Sequence, residues 1–388
     1  MKIFKKSISI FFDEKYPHSD RFDIDYIVND HLNIVYPSNI SRSDLTNLVG
    51  EFKYHKKLYR RFLQSVYTFL AIRWPVEKVT FSELISIPIP SDVGDRWVFI
   101  PGNHSIRAID LDNNRCFVFL KAGFNKSFIN SDAQIRLLYP WLKAPKVFQQ
   151  KKYWYEEQRV VGLPWNRLSS DSLKEKVIAK AHAQMSKLYM QSTVKVSASN
   201  YTSKICNDIL TLLNTSFYSL PDENKARISY FVSELRLLCS NYLDDIKIDL
   251  VCTHGDFQPG NILCSKDDFW IIDWEYSAQR SIFYDALVFD LECRFPPGLS
   301  ARLDKKINEM SNINTYLGWT GGALSEKNKY YFPIFFIEDL LLRMNEVSVQ
   351  LIHAKSDALS LYLDELPAIQ TILKNNMEKD ISTNCISF

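Results

Sequence analysis

Residues 253–275 read THGDFQPGNILCSKDDFWIIDWE, and this stretch decides how the rest of the chain is interpreted. Asp256 is followed five residues later by Asn261, and Asp273 ends the apolar run FWIID. That run, with a turn before it, predicts a short buried strand that brings Asp273 back beside Asn261. A single Asp or Asn is usually a turn residue that bonds its own backbone. The ordered set, with Gly255 inside it, favours a functional site.

Phosphoryl transfer is the chemistry that this pattern fits. The reaction needs little covalent help from the protein, but it needs a positioned nucleophile and cations that spread the developing charge. Mg²⁺ prefers hard oxygen ligands, so the amide oxygen of Asn261 and the carboxylate of Asp273 suit it. Asp256 is the group that would accept the proton of an attacking hydroxyl. The sequence therefore predicts a kinase centre that uses ATP and Mg²⁺.

The motifs HGDFQPGNIL and IIDWE resemble those of the aminoglycoside phosphotransferase and choline kinase superfamily, whose fold is like that of protein kinases. The resemblance implies that Asp256 is the catalytic base and that His254 orients it. It also implies that Asn261 and Asp273 are the Mg²⁺ ligands. Protein kinases usually carry Arg where Gly255 stands, which favours the branch that acts on small molecules.

The fold implied by the resemblance is α+β and two-lobed, with a small antiparallel β N-lobe and a mostly helical C-lobe. Residues 93–160 fit the N-lobe, because WVFI, SIRAIDL and CFVFLKA read as strands separated by turns. Residues 161–388 fit the C-lobe, in which amphipathic runs predict long helices. Asp285 matches the structural Asp that follows the metal loop in the family.

Candidate nucleotide-binding residues lie in the predicted N-lobe. The turn with Gly102 and Ser105 stands where a phosphate-covering loop would lie, although a plain hairpin turn explains its one glycine equally well. Lys121 closes the third strand, from which it would reach the phosphates of ATP. Relatives pair this lysine with a Glu on the next helix, where this chain offers Gln134 or Asp132. The hinge that would meet the adenine edge is predicted at Glu157, Gln158 and Arg159.

The candidate acceptor-binding residues, just past the metal site, are Trp274, Glu275 and Tyr276. Aromatic faces bind quaternary ammonium groups, so choline or a related amino alcohol is one possible acceptor. The same residues could stack a sugar ring and bond its hydroxyls. The DWEY form resembles choline kinases and phosphotransferases of surface-polysaccharide biosynthesis, which favours a sugar or glycan acceptor. A glycine-rich loop at 318–322 is also expected to line the acceptor pocket.

The first 92 residues are predicted to be a helical extension that precedes the kinase-like lobes. Apolar residues recur at helical spacing over residues 45–70, opposite a basic face. Such a helix either docks on its own domain or lies on an anionic membrane surface. For this chain that surface would be the inner face of the membrane. Pro88, Pro90 and Gly94 are taken as the boundary of the extension.

Composition agrees with a cytoplasmic enzyme of more than one domain. A chain of 388 residues is longer than a single hydrophobic core usually supports. The net charge of +2 gives no indication of nucleic-acid binding. The seven cysteines lack CxxC pairing and are typical of free thiols in a reducing compartment. No apolar run reaches the length of a membrane span, and the N-terminus has no signal-peptide cleavage site.

Two other functions stay open at this stage. The missing helix Glu and the glycine-poor loop would also suit a nucleotide-binding pseudokinase or scaffold, although the catalytic Asp and Asn positions are intact. A protein kinase is disfavoured because HGD replaces HRD and no APE-like segment follows DWE.

Overall fold

The computed structural model describes residues 1–30, 32–49, 66, 83–94, 96–217, 220–243, 246–265, 268–312, 329–350 and 357–384. The chain forms two compact units. The first comprises Met1–Ile178 and Pro259–Glu275, and the second comprises Ala179–Gln258 and Tyr276–Phe388. The first carries an antiparallel sheet and the second is mostly helical, so the predicted α+β fold class is confirmed.

An eight-stranded antiparallel sheet organises the first unit. Its strands are β1 (Arg21–Asn29), β2 (Ile34–Pro37), β3 (Glu83–Pro90), β4 (Trp97–Pro101), β5 (Ser105–Asp110), β6 (Arg115–Leu120), β7 (Val147–Gln150) and β8 (Trp154–Gln158). They are ordered β3-β1-β2-β4-β5-β6-β8-β7. Helices of the same unit are α1 (Lys2–Lys15), α2 (Arg42–Val49) and α3 (Ser127–Leu138). The three strands predicted between residues 97 and 122 are confirmed as β4, β5 and β6.

The prediction that residues 1–92 form a separate helical extension is wrong for the residues described there. Among the residues described there, α1, α2 and the single residue Val66 are helical, whereas β1, β2 and β3 join the sheet beside β4. The alternation of Ile85, Ile87 and Ile89 is a strand pattern, and all three side chains are buried. The two prolines read as a boundary lie in β3, an edge strand, where a missing backbone donor is tolerated. The basic amphipathic helix lies mostly outside the described residues.

Aromatic packing joins α1 to the sheet. The Phe11 ring stacks on Phe119 with centroids 4.4 Å apart, and Phe12 meets Trp97 edge-on at 5.4 Å. Each of these side chains is at most 2% exposed. Full burial of a Phe contributes about 1.5–3 kcal/mol, so the N-terminal helix is part of the core of this unit.

A β-hairpin returns the chain to the first unit after residue 258. Strands β12 (Ile262–Ser265) and β13 (Asp268–Ile271) pair antiparallel, and β9 (Leu163–Pro164) pairs with β12. This is the hairpin predicted from FWIID, although β13 ends two residues before Asp273. A side chain on Gly162 would lie 2.8 Å from the Cys264 carbonyl oxygen, so this close approach requires glycine.

The second unit contains most of α4 (Asp171–Ser192), with α5 (Ala198–Ser216), α6 (Asp222–Leu243), α7 (Tyr284–Asp290), α8 (Leu299–Asn312), α9 (Tyr331–Gln350) and α10 (Asp357–Asn384). A small sheet has the order β10 (Val194–Ser197), β11 (Lys247–Thr253) and β14 (Ala278–Ser281). The glycine-rich loop at 318–322 lies outside the described residues. No helix in the described ranges is long and apolar enough to cross a bilayer.

Candidate active site

A cavity of about 470 Å³ lies within the first unit. Its size falls in the range of small-molecule sites, and its walls are mainly aliphatic, as is usual for such sites. The apolar lining includes Ile34, Val98, Ile100, Ile109, Leu263 and Ile272. Glu157, Gln158 and Arg159 of the predicted hinge also line the cavity. Ile34 belongs to β2, so the N-terminal strands help to build the cavity.

Arg107 is a charged residue of the cavity that the sequence analysis missed. It lies on β5, where its Nε donates to Glu157 Oε1 at 3.1 Å and its Nη2 lies 3.5 Å from Asp273 Oδ1. The arginine therefore connects the predicted hinge to the predicted metal ligand. Burial opposes ionisation of Glu157, but Arg107 and Arg136 outweigh it and hold the pKa of this carboxyl below its ordinary value.

Helix α3 carries a buried ion pair in place of the Glu that relatives pair with the strand lysine. The Asp132 carboxylate lies 3.2 Å from Arg136 Nη2, and Arg136 Nη1 donates to Glu157 Oε2 at 2.7 Å. Asp132 also accepts from the Tyr155 hydroxyl and from the backbone N–H of Trp274 at 3.1 Å. The helix is thus held against the residue that follows Asp273.

Lys121 is bonded to neither of its two candidate partners on α3, Gln134 and Asp132. Gln134 is exposed on α3, because the apolar spacing turns Asp132 and Arg136 inward instead. The Lys121 ammonium donates to the Gly102 carbonyl oxygen. Burial lowers the pKa of Lys121, while the Glu275 carboxylate acts in the opposite direction. Lys121 therefore belongs to the turn between β4 and β5 rather than to the ion pair on α3.

The turn between β4 and β5 is fixed by local contacts. The Gly102 N–H donates to the Ser105 carbonyl at 2.9 Å. The buried His104 ring stacks on Phe128 of α3 with centroids 3.8 Å apart. Burial, with a smaller effect of Lys121, lowers the pKa of His104 to about 4, so the ring is neutral at pH 7. The predicted phosphate loop is thus anchored by an aromatic contact instead of by further glycines.

The two predicted metal ligands come together in the hairpin. Asn261 ends the short 3-10 turn Pro259–Asn261, and its carbonyl accepts from the N–H of Ile272 at 3.0 Å. Asp273 adopts a positive φ of 63° and keeps 45% of its side chain exposed. No cluster of three or more His, Cys, Asp or Glu side chains suited to a metal occurs among the described residues. Two oxygen donors fit Mg²⁺, which is commonly held by one or two protein groups together with substrate phosphates.

The HGD segment, in the second unit, is held by Asp285. Its carboxylate accepts from the N–H groups of His254 at 2.7 Å and Gly255 at 2.9 Å, and from the Tyr189 hydroxyl at 2.8 Å. This is the structural role predicted for Asp285. Gly255 has φ +85°, and a Cβ on it would lie 2.3 Å from the Tyr276 carbonyl oxygen. Backbone geometry therefore requires glycine where protein kinases carry arginine.

The predicted base, Asp256, is bound on both of its carboxylate oxygens. Arg294 Nε donates to Oδ1 at 2.5 Å, and Gln258 Nε2 donates to Oδ2 at 3.0 Å. The His254 Nδ1 atom accepts the N–H of Asp256 at 3.2 Å, which agrees with an orienting histidine. Arg294 also approaches Glu346, with Nη1 3.5 Å from Oε2. The sequence analysis missed both residues, because neither lies in a recognisable motif.

The three predicted acceptor-binding residues have different surroundings. Trp274 is fully buried, and its indole N–H donates to the Ile271 carbonyl at 2.9 Å. This burial favours the other role open to Trp274, a core residue beneath the hairpin, where a large apolar ring is stabilised. Glu275 lies in the first unit, where its negative charge acts to raise the pKa of Lys121 against the effect of burial. Tyr276, in the second unit, donates its hydroxyl to Glu346 at 3.0 Å.

One family model agrees with the resemblance to choline kinases. The model of the choline/ethanolamine kinase family matches residues 163–318, less than half of the chain. The fold is similar to that of a choline/ethanolamine kinase family protein from Mesorhizobium loti, with 15% identity over 74% of this chain and 93% of that one, at a TM-score of 0.46.

Two further solved structures are similar to this chain to about the same degree. For the ethanolamine kinase of Plasmodium vivax the identity is 15%, the coverage 85% of this chain and 94% of that one, and the TM-score 0.47. For a thermostable mutant of an aminoglycoside phosphotransferase bound to ADP and hygromycin B, the identity is 12% and the TM-score is 0.47. That match covers 71% of this chain and 93% of the other one. No curated protein matches the sequence.

Proposed function

We propose that this protein is an ATP-dependent kinase that transfers the γ-phosphate to a hydroxyl group of a small molecule. The observation that supports this most directly is the hairpin, which brings Asn261 and Asp273 together, with Asp273 bound to an arginine that lines a ligand-sized cavity. The match of residues 163–318 to the choline/ethanolamine kinase family supports the same reaction.

The nucleotide half of the reaction is assigned to the first unit. The adenine base would occupy the aliphatic cavity, which Glu157, Gln158 and Arg159 of the predicted hinge line. Arg107 and Lys121 are the cations for the phosphates, which Gly102 and Ser105 would cover. Asn261 and Asp273 would hold Mg²⁺, whose chemistry is to neutralise charge that develops on the transferred group. Gln134 has no place in this arrangement because it points to solvent.

The acceptor half is assigned to Asp256. A carboxylate oxygen has more than one lone pair, so the bonds from Arg294 and Gln258 orient the group and still leave room for a substrate proton. His254 fixes the backbone of the same residue. General-base catalysis of this kind typically contributes about 10²- to 10⁴-fold in rate.

For the acceptor we infer a sugar or glycan, as in surface-polysaccharide or lipopolysaccharide assembly. Its support is the DWEY motif and the partly exposed polar groups around Asp256, which can bond hydroxyls. Choline, ethanolamine or an aminoglycoside is the second candidate, and the family match favours the first two.

The assignment is tested with Asp256→Asn, measured by ATP turnover across a panel of sugars and amino alcohols. We expect a loss of about 10²- to 10⁴-fold with MgATP binding retained, because the base acts only on the acceptor. Asp268→Asn is the matched control, since this partly exposed carboxylate on the hairpin accepts from Lys143 and from the N–H of Phe269 and has no assigned role in the reaction. Full turnover by Asp256→Asn would refute the assignment. Wild-type protein that binds MgATP without transfer to any acceptor would instead indicate a nucleotide-binding scaffold.

A further inference from the structure

The proposed base, Asp256, belongs to a cluster with one arginine, a second carboxylate and a tyrosine. Arg294 Nε lies 2.5 Å from Asp256 Oδ1, and Arg294 Nη1 lies 3.5 Å from Glu346 Oε2. The guanidinium carbon is 5.3 Å from the centroid of the Tyr276 ring. The Tyr276 hydroxyl closes the set by donating to Glu346 at 3.0 Å. All four residues belong to the second unit, and we call them the Arg294 cluster.

The cluster without its arginine would be a binding site for an organic cation. An aromatic face flanked by carboxylates is the arrangement that binds ammonium groups. In this chain the guanidinium of Arg294 occupies that position and neutralises one of the two negative charges. Burial opposes the charged form of Arg294, but Asp256 and Glu346 outweigh it, so the pKa of the guanidinium lies above its ordinary value and the residue stays charged.

The cluster is also accessible to a substrate. The side chains of Arg294, Asp256 and Glu346 keep 22%, 13% and 20% of their surface exposed. An acceptor whose hydroxyl meets Asp256 must therefore come close to the guanidinium bound to the same carboxylate. A cationic group beside that hydroxyl would meet a like charge, whereas neighbouring hydroxyls could donate to Glu346 and accept from Arg294.

We propose that Arg294 is a specificity-determining residue that excludes acceptors with a cationic group beside the reacting hydroxyl, and so selects an uncharged polyol. The inference rests on the proposed kinase function, because it takes Asp256 as the group that meets the acceptor. In this proposal the guanidinium of Arg294 takes the position at the Tyr276 ring that the ammonium group of choline would otherwise occupy.

The experiment compares the wild type with Arg294→Met and with Arg236→Met as a matched control. Arg236 is an exposed arginine that bonds Asn207 and lies outside the Arg294 cluster. Calorimetric titration with tetramethylammonium and with choline measures the cation site directly, without depending on turnover. Thermal melting with MgATP is measured first, because it tests nucleotide binding separately from the cation site. A wild type that does not bind MgATP contradicts the proposed function and leaves the cation titrations interpretable by themselves.

We expect Arg294→Met to bind choline about ten-fold or more tightly than the wild type and Arg236→Met, because a carboxylate pair and an aromatic face become available. Phosphorylation of choline relative to neutral polyols should rise in the same variant. Equal choline affinity in the wild type and Arg294→Met would overturn the proposal. If Arg294→Met does not fold, the wild type decides alone: turnover of polyols without choline binding supports the inference, and efficient phosphorylation of choline contradicts it.

Discussion

Replacement of Arg107 by Met tests the proposed nucleotide site most sharply. Arg107 lines the cavity and contacts both Glu157 and Asp273, whereas Lys121 bonds the Gly102 carbonyl. A hydrogen bond to a charged group contributes about 1.5–3 kcal/mol. Loss of one such bond to a phosphate should weaken MgATP binding about 10- to 150-fold. Arg107→Lys keeps the charge but loses the forked geometry, so an intermediate loss is expected.

The same substitution affects folding, and the two effects can be separated. The Glu157 side chain is only 4% exposed, and without Arg107 its charge is balanced by Arg136 alone. We expect the free energy of unfolding to fall by about 1–3 kcal/mol. The double variant Arg107→Met/Glu157→Gln removes the under-compensated carboxylate, so it should regain stability but not nucleotide affinity.

Calorimetric titration with MgATP and denaturant unfolding without nucleotide measure the two effects. Lys121→Met serves as the comparison, with a smaller expected loss because its ammonium is engaged by the turn between β4 and β5. The reasoning is refuted if Arg107→Met binds MgATP with wild-type affinity while remaining folded. It is also refuted if affinity returns in the double variant, because the loss would then come from Glu157.

Two further predictions concern the second unit. Burial raises the pKa of Glu338 to about 7, so its folded state retains a proton that the unfolded chain releases above the ordinary carboxyl pKa. Stability should therefore fall as the pH rises from about 4.5 to 7. Glu338→Gln, which can keep the bonds to Ser281 and Tyr201, should be more stable than the wild type at pH 8 by on the order of 3 kcal/mol and similar to it near pH 4, as thermal melts at both values would show. Gly255→Ala should destabilise the protein by more than 1 kcal/mol, because the new Cβ collides with the Tyr276 carbonyl at a left-handed φ, and an unchanged melting temperature would contradict this geometry.

The parts of the site that the sequence predicted are those built by short-range geometry. Asn261 and Asp273 are twelve residues apart, and a two-stranded hairpin is enough to bring them together. The strands β4, β5 and β6 were likewise recognisable from alternation and turn residues. The alternation of Ile85, Ile87 and Ile89 carried the same signal for β3, but its prolines were read as a boundary. An edge strand accepts proline, and edge position is a property of the whole sheet, which local pattern does not contain.

The charges that decide electrostatics at the site could not be predicted in this way. Arg107 meets Asp273 across 166 positions and Arg294 meets Asp256 across 38, and no periodicity links such pairs. A lysine or arginine in a sequence is most often solvated, so its role emerges only when packing removes water around it. In this chain the packing places an arginine on each candidate catalytic carboxylate. The motif indicates which reaction is possible. Because the two arginines are positioned by tertiary structure, we expect that their replacement will change nucleotide affinity and acceptor choice independently.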